Sequence, residues 1–486
     1  MRVLALSLAL AGCASQAWQA PTPAWVNDTS SYKSGAPPAP PAPPIAKRYR
    51  QVAAKILAAA RADHGAYTKL AQLTDRIGHR LAGSPELDQA IAWAAQTMKD
   101  AGLVVRTEKV MVPHWVRGVE QGAITAPSHH ALHLSTLGGS VATPKGGITA
   151  PVVVVHDWKE LEAKADQVKG AIVVYNVAMP AWTEEHGSGY GQTVAYRWMG
   201  ASRAAKYGAL AALVRSVTAK SLSTPHTGSM GYAKDQPKIP TASVSIEDAE
   251  LLDRLARGGK VTVQLRLEPQ QLPDAPSANV IGELRGSDKP DEVVVIGGHI
   301  DSWDVGQGAH DDGAGCVVMM QALELIKRLG LAPRRTIRVV LFTNEENGVR
   351  GGLGYAEQHQ AELAKTVLAL ESDSGGFAPR GFGIVHQDPA AQARMEARLA
   401  DIGTLLAPLG PMRVTTGYAG TDIEPMQPAG VPQVGLEVAG EHYFDYHHTN
   451  ADTLDKVYPQ DLADMVAVTA VLAYVVADMP GRVDAP

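Results

Sequence analysis

Val293-Val294-Val295-Ile296-Gly297-Gly298-His299-Ile300-Asp301-Ser302-Trp303 begins as an apolar run and ends in ligand-type side chains. Four consecutive β-branched residues read as a strand buried on both faces. A second run, Ile337-Arg338-Val339-Val340-Leu341-Phe342, follows, and between them Gly315 to Leu329 carries helical spacing. This strand-helix-strand order predicts a parallel sheet covered by helices, an α/β fold. Upstream, Ile56, Ala59 and Ala60, then Leu70, Leu73 and Ile77, recur at helical intervals. A further helix is predicted over 86–101, capped by Ser84, with Pro85 in its first turn and Gly102 at its end. Between 113 and 274, short β-branched runs (Val152–Val155, Ile172–Val174, Val261–Leu265) alternate with glycine and proline turns, which predicts an inserted, mainly β module. The catalytic body is then 47–112 together with 275–486.

Composition bounds the answer. The chain has 486 residues, enough for two or three domains, with 45% apolar and 19% charged residues, as in globular proteins. Its 44 Lys and Arg against 50 Asp and Glu give a net charge of −6, so no basic surplus exists for a nucleic-acid partner. The two cysteines, Cys13 and Cys316, build no disulfide framework. No uninterrupted run of about 18 apolar residues is present to span a bilayer.

Ligand-type side chains gather where the predicted strands end, the place where an open α/β sheet presents its crevice. His299 leaves the first strand, and Asp301 is placed to take its second ring N–H and fix the tautomer. His310-Asp311-Asp312-Gly313-Ala314-Gly315 opens the next helix, and carboxylates this close require cations nearby. Thr343-Asn344-Glu345-Glu346 ends the second strand. Two neighbours on extended chain point in opposite senses, so one can meet a metal while the other faces substrate. Glu371-Ser372-Asp373 follows the apolar run Val367–Leu370, and His447-His448-Thr449-Asn450-Ala451-Asp452-Thr453 comes late in the chain. No cysteine takes part, so the donors are oxygen and nitrogen. Two imidazoles and three carboxylates suit zinc, with manganese or cobalt as substitutes. Two divalent ions, three carboxylates and one hydroxide are neutral together, and such a metal pair lowers the pKa of a shared water. Each signal alone is more often structural; five in this order point to a metal site.

These motifs resemble the co-catalytic di-zinc aminopeptidase and glutamate carboxypeptidase family. The likeness extends to Asp75-Arg76-Ile77-Gly78-His79-Arg80-Leu81-Ala82-Gly83-Ser84, Val112-Pro113-His114-Trp115-Val116-Arg117-Gly118, Pro225-His226-Thr227-Gly228 and the stretch from Gly298 to Gly308. The resemblance implies a mixed sheet of largely parallel strands flanked by helices and a zinc-dependent exopeptidase acting on dipeptides and short peptides. It implies two Zn2+ ions, one held by His299 and Asp373, the other by Glu346 and His448, with Asp311 bridging. His448 is preferred to His447 because Thr-x-x-Asp-Thr follows it. Glu345 becomes the general base, with Asp301 beside it in the catalytic set, and the Asp311–Asp312 peptide is expected to be cis. Thr421, Asp422 and Tyr443 fall on the substrate side. The 113–274 insertion resembles a protease-associated domain, and a homodimer follows by analogy. A broader aminopeptidase and a non-catalytic receptor or scaffold are the rival readings.

At the amino terminus, residues 1–12 read as a secretory signal, with Arg2 as the charged region and Val3 to Ala11 as the apolar one. Leu10-Ala11-Gly12-Cys13 resembles the lipobox of bacterial lipoproteins, so Cys13 is the expected lipidation site and Ala14 points to outer-membrane sorting. Ordinary cleavage near 14–17, giving a secreted or periplasmic protein, is the alternative. Residues 13–46 form a proline-rich tether that favours extended polyproline II. The membrane is then met only through the lipid anchor at the cell envelope. Palmitate labelling of expressing cells is expected to vanish in Cys13→Ala; unchanged labelling refutes the anchor.

Overall fold

A computed structural model describes residues 44–220 and 222–486; the signal, residues 13–43 of the expected tether and Cys13 lie outside the described residues, whereas 44–46, expected in the tether, open the helix Pro44–Arg61. The strand Lys289–His299 pairs in parallel with Arg335–Phe342 on one side and Thr366–Glu371 on the other. Every residue of Arg335–Phe342 is buried, as a central strand covered on both faces requires. Across this eight-stranded sheet the order is Val104–Val116, Gln270–Leu284, Arg335–Phe342, Lys289–His299, Thr366–Glu371, Gln433–Val438, Pro379–Val385 and Arg413–Thr416. The central strands are parallel and antiparallel pairings flank them, so the sheet is mixed, as expected. His299 lies opposite Phe342 and Gly297 opposite Glu371. That register delivers the segments after three adjacent strands to one end of the sheet.

The predicted helices form close to where their spacing places them. Pro85–Asp100 starts at Ser84, whose hydroxyl accepts the Leu87 N–H at 3.1 Å. Ala314–Arg328 and Pro459–Asp478 pack with Pro44–Arg61 in the main core. Pro459–Asp478 is the one helix among the described residues long and apolar enough, by length and composition, to cross a membrane. Thr469 interrupts its apolar run in the sequence, and 83% of the apolar window is buried inside the protein. It is a core helix.

The insertion carries a second eight-stranded sheet, ordered His130–Ala131, Glu120–Ala126, Thr262–Leu267, Ile148–Val155, Ile172–Tyr175, Ala211–Arg215, Thr241–Val244 and Leu134–Thr136. It is α/β rather than mainly β. The strands from Ile148–Val155 to Thr241–Val244 are parallel, and parallel neighbours need crossovers. The helices Trp158–Ala163, Tyr190–Ala205 and Ile246–Gly258 fall within and after this run of strands. The change of sheet falls at 117–119 and 268–269, because the edge ladder of the first sheet continues to Val116 opposite Gln270.

Two contacts bolt the insertion to the site end of the first sheet. Arg117 Nε donates to Asp304 at 2.9 Å, and its Nη1 donates to Ser135 Oγ at 2.9 Å. Trp303, packed with Leu81 and Trp115, lies against Gly138, where a Cβ would overlap the indole. Gly138→Val is expected to cost about 1–3 kcal/mol by forcing these groups apart. Denaturant melts measure this, and an unchanged midpoint refutes the contact.

Candidate metal centre

His299, Asp311 and Asp373 bring one nitrogen and two oxygens within 4.8 Å of one another, and Asp311, His447 and His448 form a second such group. Asp311 belongs to both. Its Oδ1 stands 3.3 Å from His299 Nε2, and its Oδ2 stands 3.2 Å from His448 Nε2. Asp373 Oδ1 reaches His299 Nε2 at 3.4 Å, and Glu346 Oε2 reaches His448 Nε2 at 3.0 Å. Nevertheless His299 Nε2, Asp311 Oδ2, Glu346 Oε1 and Asp373 Oδ1 are buried and have no hydrogen-bond partner. Buried polar atoms are almost always paired. Four orphans in one place, all metal-ligand types, fit cations about which they converge.

The electrostatics agree. Burial raises the Asp311 carboxyl, but the neighbouring His299 and His448 imidazoles outweigh it and hold it well below the usual range. Burial lowers His448, yet Glu346 and Asp311 bring it up to about 10. Glu346 is pushed up to about 7 by burial and the Asp311 charge. Glu345 goes well above its ordinary value through burial, with Asp373 and Glu346 adding to the rise. An acid-rich, desolvated cluster of this kind is relieved by divalent cations.

Further carboxylates act on the backbone. Asp452 accepts the N–H groups of His310 (2.7 Å) and Asp311 (3.2 Å). Asp312, across a cis peptide from Asp311, accepts from His299 N and Gly315 N, both at 3.1 Å. Gly298 and Gly315 leave the space its carboxylate fills. Glu371 accepts from Asp422 N (3.1 Å) and Ile423 N (3.0 Å). The insertion also takes part. His448 adopts a left-handed φ of 60°, uncommon for histidine, and Thr227 grips it twice. The Thr227 N–H donates to the His448 carbonyl at 3.0 Å, and its own carbonyl lies 3.3 Å from His448 Nδ1. Ser229 Oγ donates to the Glu346 carbonyl at 2.7 Å.

Several expectations change. The Asp301 carboxylate does not take the His299 ring N–H; its backbone carbonyl does, with Nδ1 at 3.1 Å, while the carboxylate accepts from Glu345 N (3.0 Å) and Glu346 N (3.3 Å). Glu345 and Glu346 lie in a turn entered through Asn344 at φ 64°, so that turn, rather than extended chain, separates their side chains. Asp422, expected beside substrate, is sealed from solvent, and both carboxylate oxygens lack partners. Thr421 Oγ1 pairs with Tyr418 Oη at 2.9 Å, and Tyr443 packs against Phe444 and His447. His447, set aside on spacing, sits in the centre. Asp452 and Thr227 were visible only as members of motifs, without a role of their own. Asp301→Ala leaves two amides without acceptors; zinc affinity is expected to fall about 10–100-fold, as competition with a chelating dye would show.

The comparisons with known proteins agree with this geometry. The family model described as Peptidase family M28 matches residues 279–473. Carboxypeptidase Q of Mus musculus is 43% identical over 415 residues, covering 85% of this chain and 86% of that protein. "Probable leucine aminopeptidase 2" of Aspergillus fumigatus is 25% identical over 378 residues, covering 75% of this chain and 69% of that protein. Among solved structures, a peptidase M28 precursor from Shewanella amazonensis superposes with a TM-score of 0.84 at 37% identity, covering 90% of this chain and 98% of that one. With its fold, its centre and its near full-length relatives in accord, the chain belongs to peptidase family M28.

Proposed function

We propose that the chain is a zinc-dependent exopeptidase that hydrolyses dipeptides and short peptides; the likeness to relatives named carboxypeptidase Q supports the exopeptidase part of this reading. The observation that carries this reading is the Asp311 carboxylate shared between two imidazole groups, with the orphan atoms around it. His299 and Asp373 would hold one zinc and Glu346 and His448 the other, with Asp311 placed between the two groups; manganese or cobalt could substitute. Zinc supplies Lewis-acid polarisation of the scissile carbonyl and a lowered pKa for attacking water. The protein does the rest. Asp301 O and Thr227 O fix the tautomers of His299 and His448, so each presents Nε2 to its metal. Glu345, held by its backbone to Asp301, takes a proton from the attacking water and returns it to the leaving amine. Its buried surroundings favour the protonated form, which makes it a stronger base than an exposed glutamate.

The insertion walls the cleft and limits substrate length. Thr421 and Tyr443 stand on the substrate side, whereas Asp422 is sealed from solvent and ties its loop to Glu371 through its backbone N–H. Homodimerisation and envelope anchoring through Cys13 complete the reading. Likeness to a leucine aminopeptidase favours a broader aminopeptidase as the second reading. A panel of dipeptides and tripeptides with blocked or free termini, assayed with and without chelator, decides between them. Preferred cleavage of amino-free peptides longer than two residues selects the aminopeptidase. Absence of stoichiometric zinc selects a scaffold. Glu345→Gln is expected to keep its zinc and lose about 10²–10⁴-fold in kcat; full turnover in that variant removes the base assignment.

A further inference from the structure

We propose that His447 is a further catalytic residue: its imidazole donates a hydrogen bond to the scissile carbonyl oxygen as that oxygen gains charge. The inference rests on the exopeptidase reading above. His447 stacks on His448 with ring centroids 3.5 Å apart and 17° between planes. Its Nε2 comes within 3.8 Å of Asp311 Oδ2, the same oxygen that His448 Nε2 approaches at 3.2 Å. Both rings therefore point at the carboxylate that joins the two halves of the centre.

Geometry separates their roles. A histidine that holds a metal keeps its other ring nitrogen on a fixed acceptor. His299 has the Asp301 carbonyl and His448 has the Thr227 carbonyl. Among the described residues, the His447 ring meets only aromatic faces and Asp311. The two rings lie in nearly parallel planes with centroids 3.5 Å apart, so an ion in the plane of one ring lies off the plane of the other. His447 is thus a poor third ligand.

It is a well-aimed donor. At 3.8 Å the approach to Asp311 is too long for a hydrogen bond, so Nε2, in the tautomer that carries the proton there, has no acceptor in Asp311 and faces the reacting centre. Tyr190, Tyr443 and Phe444 surround the ring at 5.6, 5.1 and 4.9 Å between centroids and fix its direction. A donor held in place away from water, at the position where negative charge develops, contributes to rate without reorganising. His447 keeps its proton throughout; the only protons that move pass from water to Glu345 and on to the amine.

The test uses the zinc-loaded full chain with His447→Phe and His447→Gln. Both variants are expected to keep the parent's zinc content and melting temperature. His447→Phe should lose about 10²–10³-fold in kcat with little change in KM. His447→Gln, whose amide can still donate, should recover part of that loss. A tetrahedral phosphinate dipeptide analogue should bind His447→Phe more weakly by the same factor, while a product amino acid binds as before. Parent-like turnover in His447→Phe overturns the proposal. So does loss of zinc, which would make His447 a ligand, and so does an equal loss in both variants, which would make it a packing residue. A parent enzyme that hydrolyses no peptide defeats the exopeptidase reading itself, whereas an active parent beside an indifferent His447→Phe defeats this assignment alone.

Discussion

One carboxylate, Asp311, faces His299 with one oxygen and His448 with the other, and the rest of the catalytic end is built to hold it so. A buried charge is tolerated only when it is paired and its neighbours are fixed. Asp452 therefore fixes the backbone that presents Asp311, and Asp312 ties that turn to the strand carrying His299. If either group drifts, the two halves of the centre lose their common member.

The same logic explains why so many acids near the centre touch no reacting group. Asp301, Asp312, Glu371 and Asp452 each accept two backbone N–H groups. They convert irregular chain, which leaves strand ends without sheet partners, into a rigid frame. Arg80 works from the opposite side: fully buried, it donates to the carbonyls of Gly78, Ile300, Gln307 and Gly308 and so holds the segment after His299. The insertion belongs to this frame as well. Thr227 and Ser229 grip the backbones of His448 and Glu346, so one half of the centre is positioned by a different sheet from the one that bears it.

What could be read from the chain depended on whether the cause was local. The strands 293–296 and 337–342 and the helix after Ser84 rest on periodicity and capping, which act over a few residues, and they appear as expected. Helices in the insertion were missed because its β-branched runs are more conspicuous than its crossovers, although parallel order demands them. The ligand types were legible from spacing. The hydrogen-bond duty of Asp301 was not, since it turns on whether carbonyl or carboxylate meets the His299 ring, a matter of tertiary placement. His447 was set aside because the Thr-x-x-Asp-Thr spacing selects His448, and spacing says nothing of how close the neighbouring ring comes to Asp311.

Protons and cations compete for this centre. Glu346 and Asp452 are each pushed up to about 7, and Glu371 up to about 8, by burial first and neighbouring charge second. An acid whose folded pKa lies above its unfolded value favours the fold while protonated. For the metal-free protein that contribution is intact below the unfolded carboxylate range and is lost as pH rises toward 7–8. Cation binding runs the other way, because ligands must shed protons to coordinate. As pH rises through 7–8 the two tendencies part: the empty cluster loses this contribution while deprotonation favours cation binding. The acids that frame the centre thus make occupancy a condition of full stability as well as of catalysis.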